Sequence, residues 1–141
     1  MLYTSLTKKA MKIAFEAHKE QVDKTGMPYI YHPIHLAEQA DTEIECVVCL
    51  LHDVLEDSNI SIDNLEKEFP SEVIELLKLL TRKKAESYME YIKKIKCNET
   101  AVKIKILDIK HNLCEDRLDN MGIKDMIRKE KYKLALKMLE E

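Results

Sequence analysis

Apolar residues recur along this chain at helical spacing. Leu6, Ala10, Ile13, Ala14 and Ala17 lie three and four positions apart, which predicts an amphipathic helix from about Ser5 to Gln21. An irregular stretch from Asp23 to Tyr31 follows and contains Gly26 and Pro28. His32-Pro33 predicts the opening of a second helix, with the proline at the first position, where the N–H has no helical partner. Thr42-x-x-Glu45 reads as a capping box for a third helix. Its run from Cys46 to Leu51 is apolar throughout and predicts the central buried element. Ile60 to Phe69 reads as a short helix or turn. Ser71 is the expected cap of a helix with Val73, Leu76, Leu77 and Leu80 inward, and Ser87-x-x-Glu90 is a second capping box. Val102 to Ile106 alternates like a strand, but no partner strand is evident, so 102–112 is predicted helical. A last helix is expected from about Asp125 to Leu139. The pattern predicts an all-α fold in one compact domain over residues 1–141.

Composition narrows the function. Gly26 and Gly122 are the only glycines among 141 residues. A dinucleotide fingerprint needs three clustered glycines, and a Walker-type loop needs two ahead of Lys and Ser/Thr, so neither is present. A 45% hydrophobic share beside 35% charged residues excludes a disordered chain and a membrane protein. A net charge of −3, with lysines interleaved among acids, argues against a nucleic-acid polymer as partner. Cys46 and Cys49 form a C-x-x-C inside the apolar run. No second such pair completes a zinc site, so they read as small hydrophobes. Neither a secretory signal nor an apolar stretch of about 18 residues is evident. With thiols left free, this predicts a cytoplasmic protein without a membrane partner.

The apolar third helix ends in His52-Asp53-Val54-Leu55-Glu56-Asp57, four titratable positions in six residues. On a continuing helix His52 and Glu56, and Asp53 and Asp57, would be neighbours. Carboxylates crowded at the edge of a core repel one another and are costly to desolvate, and a divalent cation would compensate them. A solvated helix end without metal is the other reading of that spacing. Farther on, Lys105, Asp108 and Asn112 share a helical face, with Val102, Ile106, Ile109 and Leu113 expected on the side away from them. Asp108 beside so apolar a stripe calls for a buried partner, a metal or Lys105 itself. A mixed His/Asp donor set suits Mn²⁺, Fe²⁺ or Zn²⁺. His18 reads as either packing or lying near the pocket, and His35 as either supporting or exposed.

Three motifs carry a resemblance: Lys24-Thr25-Gly26-x-Pro28-Tyr29-Ile30-x-His32-Pro33, Leu50-Leu51-His52-Asp53-x-x-Glu56-Asp57, and Lys105-x-x-Asp108-x-x-His111-Asn112. Over roughly Ala14 to Leu118 the chain resembles the hydrolase domain of the Rel/Spo alarmone enzymes, within the HD superfamily of metal-dependent phosphohydrolases. The resemblance implies an all-helical fold and a divalent metal held by His32, His52, Asp53 and Asp108. Mn²⁺ is the first choice, with Fe²⁺, Zn²⁺ or Mg²⁺ as alternatives. It implies catalytic roles for Glu56 and Asp57 and substrate contacts from Lys24, Thr25, Lys105 and Asn112. The implied reaction removes pyrophosphate from the 3′ position of guanosine tetra- or pentaphosphate, by direct attack of metal-bound water on phosphorus. The chain's length suits a small stand-alone hydrolase, and its partner would be a small phosphorylated nucleotide, with homo-oligomerisation open. Two departures stand out. Asp23-Lys24-Thr25 occupies the place of the family's Arg-Lys-Ser, whose Arg packs on the guanine base, and Asp108-Ile109-Lys110-His111-Asn112 replaces Asp-Arg-Leu-His-Asn. A phosphohydrolase for another nucleotide or phosphate ester, or a catalytically silent nucleotide sensor, are the competing expectations.

Overall fold

The computed structural model describes residues 1–114 and 122–141, so the expected end of the resemblance near Leu118 lies outside the described residues. The described chain is all-α, in two compact units, Met1–Arg82 and Lys83–Glu141. No helix among the described residues is long and apolar enough to cross a membrane.

The first unit holds α1 (Ser5–His18), α2 (Tyr31–Glu38), α3 (Glu43–Leu51), α4 (Val54–Asp57), α5 (Ile62–Glu66) and α6 (Ser71–Leu80). As its sequence predicts, α3 is the central element: Cys46 to Leu51 are all fully buried, and α1, α2 and α6 pack on it. Each such Val or Leu contributes roughly 1.5–3 kcal/mol by leaving water. The two cysteines within it are free, and burial pushes the Cys46 thiol up. The inner stripe of α1 is Thr7, Ala10, Ala14 and His18. Its small residues let α1 lie close to α3, and Leu6, Ile13 and Ala17 are only half-buried.

Several local expectations change. Pro33 is the third residue of α2, where its missing N–H is still one of the four a helix start leaves unpaired. At α3, Thr42 caps the Glu45 N–H, but the Glu45 carboxylate accepts from the Asp41 N–H, one residue outside a capping box. Ser71 is the first residue of α6 and not its cap. Pro70, already extended, holds that place without a side-chain bond.

The second unit holds α7 (Tyr88–Ile95), α8 (Glu99–Cys114) and α9 (Ile123–Glu140). Ser87 and Glu90 form the predicted capping box of α7. The ambiguous segment is helical, as predicted, but its inner face is Ala101, Ile104, Asp108 and Ile109. Asp108 therefore lies on the buried face, whereas Val102, Ile106 and Leu113 are half-buried. The helix can turn Asp108 inward because its charge is met within the helix itself, as described below.

Candidate active site

The buried α3 ends at Leu51, and the chain then breaks its helix. His52 is the C-cap, and Asp53 is the N-cap of the single-turn α4. The break fans out four residues that a continuous helix would have stacked. His52 stays with the core at 5% exposure, Asp53 is half-buried, and Glu56 and Asp57 reach the surface.

From α2, His32 enters the same place at 3% exposure. One ligand atom each from His32, His52 and Asp53 lies within 4.8 Å of the others. Asp53 Oδ2 is 2.9 Å from His52 Nε2 and 3.9 Å from His32 Nε2. His52 Nδ1 is 2.7 Å from the Cys49 carbonyl, which only accepts, so Nδ1 carries a proton and the neutral ring has its lone pair on Nε2. That nitrogen and a carboxylate oxygen lie 2.9 Å apart, placed to hold one cation between them. A backbone carbonyl on the far nitrogen is the usual support of a metal-binding imidazole. The donor set fits a divalent metal.

Tyr29 also belongs to this site. Its hydroxyl donates to Asp53 Oδ2. Its ring lies 4.9 Å from His18 and 5.7 Å from His32, and the His32 and His52 rings are 5.2 Å apart, so the four rings form a continuous chain. Tyr29 was visible as part of a motif, but nothing in the sequence shows that its hydroxyl meets a residue 24 positions on. Glu56 Oε1 accepts from the Arg82 N–H at 2.7 Å, which tethers that carboxylate. Although Asp57 partly reaches solvent, partial burial and then the charges of Asp53 and Glu56 push its carboxyl up to about 6.

In the loop before α2, Asp23 Oδ1 accepts from the Thr25 N–H at 2.8 Å, the Thr25 hydroxyl at 2.6 Å and the Met27 N–H at 3.0 Å. Gly26 closes this turn with φ +85°, a value that a side chain would strain. Lys24 and Thr25 are exposed, as is His35.

In the second unit, α8 brings Lys105, Asp108 and Asn112 together as their spacing predicts. Lys105 Nζ is 2.8 Å from Asp108 Oδ2, and Asn112 Nδ2 donates to Asp108 Oδ1 at 3.1 Å. Burial alone would lower the Lys105 ammonium, but the adjacent Asp108 carboxylate outweighs it and raises the group well above its ordinary value. The ammonium also lies 5.1 Å from the Tyr91 ring centre.

The profile of the HD domain family matches residues 10–107. A guanosine-3′,5′-bis(diphosphate) 3′-pyrophosphohydrolase of Aquifex aeolicus is 32% identical over 138 residues, covering 92% of this chain and 19% of that protein. The protein of that name from Haemophilus influenzae is 34% identical over 116 residues, 72% of this chain and 17% of its own length. The chain thus spans under a fifth of the length of these curated relatives. A solved structure, described as a metazoan ortholog of SpoT that hydrolyzes ppGpp and plays a role in starvation responses, matches with a TM-score of 0.79 at 20% identity. The match covers 99% of this chain and 96% of that one, and it bears out the all-helical fold.

Proposed function

Because the chain belongs to the HD domain family, we propose that it is a metal-dependent phosphohydrolase that removes the 3′-pyrophosphate of guanosine 3′,5′-bis(diphosphate). The convergence of His32, His52 and Asp53 within 4.8 Å carries this reading, because a bare set of two imidazoles and a carboxylate has little use without a cation. The names of the relatives support the substrate. The third motif supports Asp108 as a fourth ligand, on sequence grounds, with Lys105 and Asn112 as substrate contacts. In this reading residues 1–141 work as one HD-type domain in the cytoplasm, and Mn²⁺ is the metal, as the mixed nitrogen and oxygen donors suggest.

A divalent cation held there would polarise a phosphoryl oxygen and acidify bound water. The chain's own residues do the rest. His52, oriented by the Cys49 carbonyl, and His32 present nitrogen donors, and Tyr29 steadies the Asp53 carboxylate. Asp57 changes charge near neutrality, which suits it to take or return a proton. Glu56, tethered to Arg82, keeps a second carboxylate beside it. Lys24 and Thr25, on the exposed loop, meet phosphate oxygens.

Release of pyrophosphate from guanosine tetraphosphate in the presence of Mn²⁺ tests the proposal, and a metal-loaded protein that releases none overturns it. One observation favours a second reading, hydrolysis of another nucleotide. Asp23 turns its carboxylate into its own loop, so this position offers no cation to stack on a base. A nucleotide panel assayed with the same metal separates the two.

A further inference from the structure

His18 is the buried titratable group that the reaction above leaves unused. It is 1% exposed, at the last turn of α1. Its Nδ1 lies 2.8 Å from Gln21 Oε1. Gln21 Nε2 donates to the carbonyls of Ala17 at 3.3 Å and of Asp57 at 2.7 Å. Carbonyls only accept, so these contacts orient the Gln21 amide with its nitrogen toward Asp57 and its oxygen toward the imidazole. That oxygen also only accepts, so the proton of His18 is on Nδ1. Burial lowers the ring below an ordinary histidine, which favours its neutral form. Nε2 is then a bare lone pair, buried and without a hydrogen-bond partner among the described residues.

The far end of this relay matters because α4 is one turn long. A helix leaves its last carbonyls unpaired. Here the Ser58 hydroxyl takes the Val54 carbonyl at 2.6 Å, and Gln21 takes that of Asp57. The His18 ring meanwhile packs on Tyr29, whose hydroxyl holds Asp53. One buried ring thus braces both the metal-ligand side and the Asp57 side of the site.

We propose that His18 is a positioning residue for this site: through Gln21 it holds the Asp57 carbonyl and with it the turn that presents Glu56 and Asp57. The proposal rests on the reading of Asp57 as a participant in hydrolysis. The experiment has a spectroscopic arm and a kinetic arm, both on the full chain. Long-range proton–nitrogen spectra of the metal-free protein are expected to show His18 protonated on Nδ1 and bare on Nε2, and the opposite tautomer overturns the proposal. Gln21→Glu keeps an acceptor for His18 but loses the donor to Asp57. It is therefore expected to shift the amide resonance of Ser58, which shares a peptide group with that carbonyl, and an unmoved resonance overturns the relay.

In the kinetic arm, His18→Phe fills the space without a donor, and His18→Asn restores one at the Nδ1 position. Gln21→Glu and His18→Phe are each expected to lower kcat about tenfold, the scale of one hydrogen bond. KM stays near its original value, and His18→Asn regains most of the loss. Where His18→Phe does not fold, Gln21→Glu carries this arm alone. Unchanged kcat in the folded variants, or His18→Asn falling as far as His18→Phe, overturns the positioning role. A wild-type chain that hydrolyses nothing, with the tautomer and the Ser58 shift as expected, removes the hydrolase reading and leaves the relay in place.

Discussion

Asp53 and Asp108 are both largely withdrawn from water, with side chains 17% and 7% exposed, yet they meet different company. Asp108 faces an ammonium 2.8 Å away on its own helix, three residues back. Asp53 faces two imidazoles and a tyrosine hydroxyl. The first arrangement is complete as a charge pair. The second gathers two imidazoles around a carboxylate that a tyrosine hydroxyl steadies, an arrangement that a cation would complete. Without metal, Asp108 already has a counter-ion on its own helix, which ligation would oblige it to share, whereas Asp53 sits among imidazoles and meets its counter-charge only when a cation binds.

Removing the carboxylate charge is the most severe way to break the contrast. Asp53→Asn is expected to abolish Mn²⁺ uptake in calorimetry and to lower turnover about a thousandfold, the rate equivalent of the several kcal/mol a catalytic metal supplies. Lys105→Met makes the opposite test. It leaves Asp108 buried with its ammonium gone and is expected to cost about 3 kcal/mol in urea unfolding. Adding Asp108→Asn recovers much of that loss. A Lys105→Met protein as stable as the original would show that the pair is not what holds Asp108 in place.

Tyr29→Phe sharpens the comparison more gently. It removes the hydroxyl on Asp53 and keeps the ring chain, so metal affinity is expected to fall about tenfold with the fold intact, as when other supports of metal ligands are lost. Titration separates the two regions with the smallest effect. His18 is held below its ordinary pKa mainly by burial, so the folded chain takes up its proton less readily than the unfolded one. Its contribution to stability is complete above the unfolded value of about 6.5 and is lost as pH falls through the folded value. Asp57, raised to about 6, titrates in both proteins with the opposite sign, so the loss is expected in the difference between the urea midpoints of the original protein and of His18→Phe, followed downward from pH 7. Lys105, raised well above its ordinary value, stays charged throughout that range.

Much of this was legible in the sequence. The uninterrupted apolar run of Cys46–Leu51 predicts a buried helix, and the motif order singles out His32, His52 and Asp53. Ser87 and Glu90 announced their capping box because both partners are local. Readings that depended on neighbours came out differently. Ser71 looked like a cap, but Pro70 already holds the extended backbone there. Of the apolar stripe Val102, Ile106, Ile109 and Leu113, only Ile109 is buried; Ala101, Ile104 and Asp108 join it on the inner face, because Lys105, which the spacing already offered as a partner, meets the Asp108 charge and lets it turn inward.

The sequence by itself determined the helical class and the central element, since periodicity and residue type are local properties of the chain, and its motifs contained the His32, His52 and Asp53 that the fold brings together. Only the tertiary structure decided that the helix breaks at His52 and Asp53, that Tyr29 reaches Asp53, and that Gln21 joins His18 to the Asp57 carbonyl 36 positions away. Those contacts depend on side-chain direction and on which hydrogen-bonding groups the packing leaves facing each other, and no spacing rule along the chain encodes either.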